Sequence, residues 1–302
     1  MNRKGRRLAA LVTAAVALAV VGTEDLDAKV ARMMDEAKER FAGKTAPSIA
    51  IEGSAATVVD ANSGVALFSK QAHRRMYPAS TTKIMTALLA LKYGELDETI
   101  VVGEEARPEA PDESTAGLTE GQALTLRDAL SGLMLPSGND AARVVARYIV
   151  EKTEGGPVPN WNERFAALMN AEAERLGARD THFANPHGLH DPDHYSTASD
   201  LALIAREAMN DPAFRDIVAA KSYRSEAGDA WFGNRNKLLD EEGEFYLQGA
   251  NGVKTGFTSD AGYCLVASAE RDGRLLISVV LQSTETDVWT DTLRLMAHGF
   301  ST

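Results

Sequence analysis

Two rhythms of apolar and polar positions divide this chain of 302 residues. In "ATVVDANSGVALFS" two short apolar runs flank a turn-forming "DANSG", the pattern of a β-hairpin. A helical period follows. Ile84, Met85, Ala87, Leu88, Leu89 and Leu91 lie between Pro78 and Gly94, which predicts a helix beginning near Ser80. Its apolar positions leave no wide polar face, as in a helix enclosed by the rest of a domain. From about 104 to 218, helical spacing recurs in "LTLRDALSGLML", "NDAARVVARYIV", "NERFAALMNAEAERLG" and "STASDLALIAREAM", predicting a helical lobe. Strand patterns return in "GVKTGFTS", "GYCLVASAE" and "RLLISVVLQ", the last two joined by "RDGR", whose Asp272-Gly273 is a hairpin signal. A closing amphipathic segment with Val288, Trp289, Leu293, Leu295, Met296 and Phe300 should cover one face of the sheet. Strands at both ends with helices between them predict an α/β (α+β) fold: one antiparallel sheet closed by the two ends of the sequence, with a helical insertion.

Charge changes the picture at the beginning of the chain. Arg3, Lys4, Arg6 and Arg7 precede the apolar run Leu8 to Gly22, which contains the small-residue triplet Ala17 to Ala19. Residues 1–22 therefore read as a secretory signal, with an uncleaved N-terminal anchor as the alternative. Residues 23–45, with Val30, Met33, Met34, Ala37 and Phe41 at helical spacing, read as a helical spacer ahead of a domain over 46–302. The formal charge of −11 argues against nucleic acid or an anionic membrane surface as a partner. Cys264 is the one cysteine, so no internal disulfide forms, and its setting in "AGYCLVASA" is that of a small buried hydrophobe.

Lys83 is the anomaly in the enclosed helix, because a buried ammonium without a partner is costly. Ser80 lies three positions earlier, on the same helical face. A serine at a helix start sits beside unpaired N–H groups, and burial can lower a lysine from about 10.4 by ~3 to 5 units, into the range of a general base. The bland alternative is a capping serine and a lysine reaching for water. Ser-x-x-Lys alone is expected about once by chance in such a chain. Two further elements add weight: Ser137 and Asn139 in "PSGNDAARV" at the start of a second helix, and Lys254, Thr255 and Gly256 in "GVKTGFT" on a strand. A Lys-Thr-Gly triplet is expected in roughly one random chain in twenty. The cluster His187, His190, Asp191, Asp193 and His194 invites a metal reading, but Pro186, Gly188 and Pro192 make it a loop without the helical scaffold that zinc proteases use, so no metal or cofactor is expected. The run "EEARPEAPDE" reads as solvated surface.

The order Ser-x-x-Lys, Ser-x-Asn, Lys-Thr-Gly, together with "DANSG", "PASTTKIMTALLAL", "LMLPSGNDAA", "ANPHGLHD", "HYSTASDLA", "GVKTGFTSDAGYCLVASAERDG" and "HGF", closely resembles the serine D-alanyl-D-alanine carboxypeptidases, the low-molecular-mass penicillin-binding proteins. The resemblance covers about residue 50 to the end. It implies the β-lactamase and penicillin-binding-protein transpeptidase fold, with a five-stranded antiparallel sheet, flanking helices and an inserted helical lobe, and a serine D,D-peptidase domain over 46–302. It further implies an acyl-enzyme on Ser80, with Lys83 taking the serine proton, Ser137 passing a proton to the leaving D-alanine and Asn139 holding Lys83 and a substrate amide. The N–H groups of Ser80 and Phe257 would form the oxyanion hole, Lys254 and Thr255 would bind the terminal carboxylate, and Gly256 would leave room for the peptide. The implied partners are stem peptides ending in D-Ala-D-Ala and β-lactams as covalent inhibitors, at an extracytoplasmic location. Two departures stand out: Val288 lies where the family leads one to expect an arginine, and the C-terminal β-rich domain and amphipathic anchor of many relatives are missing, which assigns any membrane attachment to the N-terminus. A D,D-endopeptidase, a β-lactamase and a non-catalytic penicillin sensor remain as alternatives. No counterpart of the deacylating glutamate of class A β-lactamases is evident, since Glu163 belongs to a predicted helix.

Overall fold

Along one strand, Arg274–Ser283, side chains alternate between two cores: Ile277, Val279 and Leu281 pack into one, Leu276 and Val280 into the other. This strand, β9, is the centre of a five-stranded antiparallel sheet in a computed structural model that describes residues 49–225 and 230–302. The stretches read as signal or anchor (1–22) and spacer (23–45) lie outside the described residues. With β1 (Ala55–Asp60), β2 (Ala66–Lys70), β7 (Ala250–Thr258) and β8 (Gly262–Arg271), the sheet order is β2-β1-β9-β8-β7. Ala55 pairs with Leu281 and Asp60 with Leu276, so strands from opposite ends of the sequence close the sheet, as the pattern predicts. Asp272 (φ 51°) and Gly273 (φ 75°) turn β8 into β9 with both central residues left-handed, the geometry that matches the twist of a tight hairpin.

Each face of the sheet is covered. Helix α7 (Asp287–Ser301) buries Val288, Trp289, Leu295 and Met296 against one face. Trp289 stacks on Phe245 with ring centroids 6.0 Å apart, and Asp291 accepts hydrogen bonds from the N–H groups of Glu52 (2.9 Å) and Gly53 (2.8 Å). The other face carries six helices: α1 (Lys83–Tyr93), α2 (Leu126–Met134), α3 (Asn139–Glu154), α4 (Trp161–Leu176), α5 (Ala198–Ala208) and α6 (Pro212–Ala219). Helix α1 is buried from Lys83 through Ala90, as its unbroken apolar surface requires. A reciprocal cap starts α2: Thr125 Oγ1 accepts from the Asp128 N–H (3.1 Å) and Asp128 accepts from the Thr125 N–H (3.0 Å).

Several features depart from the sequence reading. Helix α6 is unanticipated, although Asp211 caps it and Pro212 occupies its first turn. Two short ladders, β3 (Thr99–Val101) with β4 (Ala123–Thr125) and β5 (Ser222–Arg224) with β6 (Trp231–Gly233), are too brief to show a period of two. The helix expected near Ser80 begins at Lys83; Ala79–Thr82 form a tighter 3₁₀ turn, with Ala79 at φ 48°. The acidic run 104–113 is not uniformly solvated. Glu105 meets Arg147 at 2.8 Å and Glu113 meets Arg143 at 2.6 Å, both carboxylates being buried. Cys264 is buried as expected, and burial pushes its thiol up to about 12. Among the described residues no helix is long and apolar enough to cross a membrane.

Because Trp289 anchors the face that α7 covers, Trp289→Ala is expected to lower the unfolding free energy by about 3 to 5 kcal/mol, measurable as a lower midpoint in urea denaturation at unchanged slope.

Candidate active site

Lys83 enters the interior because the helix it begins is apolar all round, and its side chain is 0% exposed. Three oxygens surround its amine: Ser80 Oγ at 3.0 Å, Asn139 Oδ1 at 2.6 Å and the His187 carbonyl at 2.7 Å. Burial holds its pKa well below the ordinary lysine value, and the nearby Lys254 ammonium pushes the same way. Glu113 and Asp140 oppose this shift, and Arg143 adds to it.

Each surrounding group is fixed by its own element. Asn139 is the first residue of α3, and Asp140 beside it accepts from the N–H groups of Ala116 (2.7 Å), Gly117 (2.9 Å) and Leu118 (3.0 Å), pinning the preceding loop to the helix. Ser137 is buried in the turn between α2 and α3 at φ 69°; it precedes the helix instead of opening it. The His187 carbonyl comes from the loop between α4 and α5. There Gly188 has φ +87° and presses so close that a Cβ would overlap the Ala79 carbonyl, so only glycine fits. Thr86 Oγ1 donates to the Pro186 carbonyl (2.6 Å) and holds the same loop on α1.

The third side is strand β7, at the open edge of the sheet. A Cβ on Gly256 would stand 3.0 Å from the Ser80 nitrogen and 3.1 Å from that of Thr81, so the strand runs directly against the turn that carries Ser80. Phe257 follows, 53% exposed, its ring 4.5 Å from that of Tyr263. Thr255 is half-buried. Lys254 is buried, donates to the Thr255 carbonyl at 3.0 Å, and is lowered to about 7 by burial and then by the charge of Arg235. Ser80, Lys83 and Asn139 are thus joined by hydrogen bonds, Gly256 abuts them, and Lys254, Thr255 and Phe257 extend along the adjoining edge.

The histidine-rich loop is dispersed among separate partners. His194 Nδ1 accepts from the Ala184 N–H (3.1 Å), which leaves the ring proton on Nε2 to donate to Thr82 Oγ1 (2.8 Å). Burial lowers His194 to about 3, keeping it neutral. His187 turns Nε2 toward Glu109 (3.5 Å), and His190 packs edge-on against Tyr77 beside Asp260. Among the described residues no group of three or more histidine, cysteine or carboxylate side chains is arranged to hold a metal ion. Val288, in the first turn of α7, is buried in the core against the sheet and supplies no charge to the site.

Sequence reasoning missed the His187 carbonyl, since a backbone acceptor leaves no mark on side-chain identity. It also missed Glu113, whose carboxylate reaches Asn139 Nδ2 at 3.5 Å.

The low value at Lys254 fixes a sign. Between pH 7 and about 10 the unfolded chain holds a proton on Lys254 that the folded chain has released, so stability rises with pH across that window, by up to about 1.4 kcal/mol per pH unit, and the gain is lost as pH falls toward 7. Lys254→Met should reduce the slope of stability against pH by up to that amount, leaving the like-signed part that Lys83 contributes, as measured by urea unfolding at pH 7, 8 and 9.

Comparisons with known proteins bear on this arrangement. The profile of the D-alanyl-D-alanine carboxypeptidase family matches residues 41–285. Among curated proteins, the D-alanyl-D-alanine carboxypeptidase of Streptomyces sp. (strain K15) is 36% identical over 85% of this chain and 89% of its own length. Carboxypeptidase DacF of Bacillus subtilis is 33% identical over 86% of this chain and DacA of Haemophilus influenzae 36% identical over 79%, but the match spans only 65% and 58% of those longer proteins. The crystal structure of the Streptomyces K15 DD-transpeptidase superposes with a TM-score of 0.74 at 32% identity, covering 85% of this chain and all of that one. Penicillin-binding protein D2 of Listeria monocytogenes, in a cefotaxime-bound form, gives 0.72 at 29% identity over 84% of this chain and all of its own. With the family profile spanning most of its length and these relatives aligned across the sheet and the helical lobe alike, the chain belongs to the D-alanyl-D-alanine carboxypeptidase family.

Proposed function

We propose that the chain removes the terminal D-alanine from peptidoglycan stem peptides ending in D-Ala-D-Ala, through an ester on Ser80. One observation carries this reading: the two acceptors around the Lys83 amine. A neutral amine has two N–H bonds and one lone pair. Asn139 Oδ1 and the His187 carbonyl take the two N–H bonds, so the lone pair is left for Ser80 and accepts the hydroxyl proton across the 3.0 Å contact. Burial lowers the amine's pKa well below the ordinary lysine value, the direction that a base for serine requires.

The steps follow from that contact. Ser80 Oγ attacks the carbonyl carbon of the penultimate D-alanine while its proton passes to Lys83 Nζ, and the carbonyl oxygen becomes an anion facing the N–H groups of Ser80 and Phe257. As the C–N bond breaks, Ser137 relays the proton held on Lys83 to the departing amine, and D-alanine leaves with its own carboxylate released from Lys254 and Thr255. Water then attacks the ester, giving its proton to Lys83, which returns it to Ser80 Oγ as the acyl C–O bond breaks and the shortened peptide is freed. The open edge of β7 suits an extended peptide, which would pair with the strand as an added one, and Gly256 leaves that approach unobstructed. β-Lactams would acylate the same serine, in keeping with the cefotaxime-bound Listeria neighbour. Such a substrate places the domain outside the cytoplasm, in accord with a secretory signal over residues 1–22 or its retention as a membrane anchor.

The Streptomyces neighbour is a DD-transpeptidase, which favours testing a second fate of the ester, attack by an amine in place of water. A diacetylated tripeptide ending in D-Ala-D-Ala, incubated with and without glycine as acceptor, separates the two by product mass. The expected outcome is stoichiometric penicillin labelling of the intact chain and release of free D-alanine, both reduced by about 10⁴-fold or more in Ser80→Ala. Retention of either in that variant overturns the assignment.

A further inference from the structure

Both residues that present a carbonyl to Lys83 have side chains facing carboxylates of one segment, residues 104–118. Behind the His187 ring stands Glu109, at 3.5 Å and half exposed. Behind Asn139 stands Glu113, with a side chain only 1% exposed. Glu113 is locked by a two-pronged bond from Arg143, Nη2 to Oε1 at 2.6 Å and Nη1 to Oε2 at 3.2 Å. Arg143 is itself 1% exposed, and it also donates to the carbonyls of Glu105 (2.7 Å) and Arg107 (3.0 Å), so the loop is tied down on both sides of its turn. The catalytic reading above uses none of these groups.

The consequence lies in the two ends of an amide. An ionised carboxylate only accepts hydrogen bonds, so beside Glu113 Oε2 the side chain of Asn139 must present its NH₂ end, at 3.5 Å. Its carbonyl end is thereby committed to the opposite side, where Lys83 lies at 2.6 Å. Were the amide reversed, its NH₂ would face the amine's N–H bonds, and the lone pair would no longer be reserved for Ser80. We propose that Glu113, fixed by Arg143, is a positioning residue that sets the orientation of the Asn139 amide and through it the direction of the Lys83 lone pair. This rests on the reading of Lys83 as the base for Ser80. The proposal also accounts for the burial of this carboxylate next to the site: it acts on the geometry of the base without touching substrate.

A merely structural ion pair would affect folding alone, so the test needs a readout that folding does not move. The pH profile of penicillin acylation is one. Around Lys83 lie Lys254 on β7, Arg143 and Asp140 on α3, Glu113 on the loop, and His187 and His194 on the loop between α4 and α5. Removing the negative charge at Glu113 leaves the cations to disfavour a proton on Lys83, so the acid limb of the profile should move to lower pH. At the same time the limiting acylation rate should fall about ten- to a hundredfold, with the penicillin binding constant little changed. Glu113→Gln is measured against the parent chain by intact mass, with thermal unfolding alongside. Because that variant leaves a lone buried cation, the double replacement Glu113→Gln with Arg143→Gln is measured too. With both charges gone its acid limb should return toward the parent position while its rate stays low, since a glutamine can offer Asn139 either end of its amide. A folded single or double variant that acylates at the parent rate overturns the proposal. A parent chain that takes no penicillin on Ser80 would instead overturn the reading of the site on which it rests.

Discussion

An amine enclosed where water cannot reach it is the constraint around which this structure is arranged. Removing a lysine head group from water costs several kcal/mol if it stays charged, and the cost is avoided when the group gives up its proton. Lys83 is enclosed because α1 has no polar face to turn outward, and α1 has no polar face because helices and sheet pack against it from every direction. A neutral amine there would still have two N–H bonds to satisfy. Two separate loops, one opening α3 and one preceding α5, each deliver a carbonyl to it, and the second does so only because Gly188 lets the backbone close onto the Ser80 turn. Position, lowered pKa and the set of hydrogen-bond partners are therefore three results of one enclosure.

Lys254 shows the same burial used differently. Its surroundings hold it near 7, so it sits on the edge between charged and neutral, whereas Lys83 is held well below the normal range. An arriving carboxylate would draw a proton onto Lys254, because an anion in a dry site stabilises the ammonium. Both lysines are buried, and the charge of Lys254 is one of the causes that lower Lys83, whereas Arg235 is the charge that lowers Lys254. On the proposed reading the two chemically identical side chains take different tasks from their different neighbours, which is how environments separate acids from bases within one site.

Much of this was visible in the sequence because the signals were local and periodic. The apolar run in "RLLISVVLQ" reported a strand, the Asp272-Gly273 pair reported its turn, and the spacing of Ser80 and Lys83 survived even though the turn there is 3₁₀ and not α. What was hidden is non-local. The His187 carbonyl belongs to the backbone, and Glu113 looked solvated because its partner Arg143 lies thirty residues away in a helix with several ordinary charges. A charge run reads as surface until the cation that will bury it is known, and pairing of that kind is set by how loops lie over helices, which periodicity does not encode. The three-residue ladders failed to register for a related reason: three positions cannot display a period of two.

The valine at 288 carries the electrostatic argument one step further. On the inner face of α7 it is packed among Trp289, Leu295 and Met296, in the core on the far side of the sheet from α1, so the position is committed to packing and has no charge to lend. On the proposed reading the cation that meets a substrate carboxylate would be Lys254, with the Thr255 hydroxyl as a neutral donor and Arg235 close enough to lower the Lys254 pKa. A lysine whose own pKa lies near neutrality binds an anion well only when binding and protonation occur together. Affinity for the carboxylate would then be coupled to proton uptake at Lys254, whereas a guanidinium in place of that lysine would keep its charge at neutral pH.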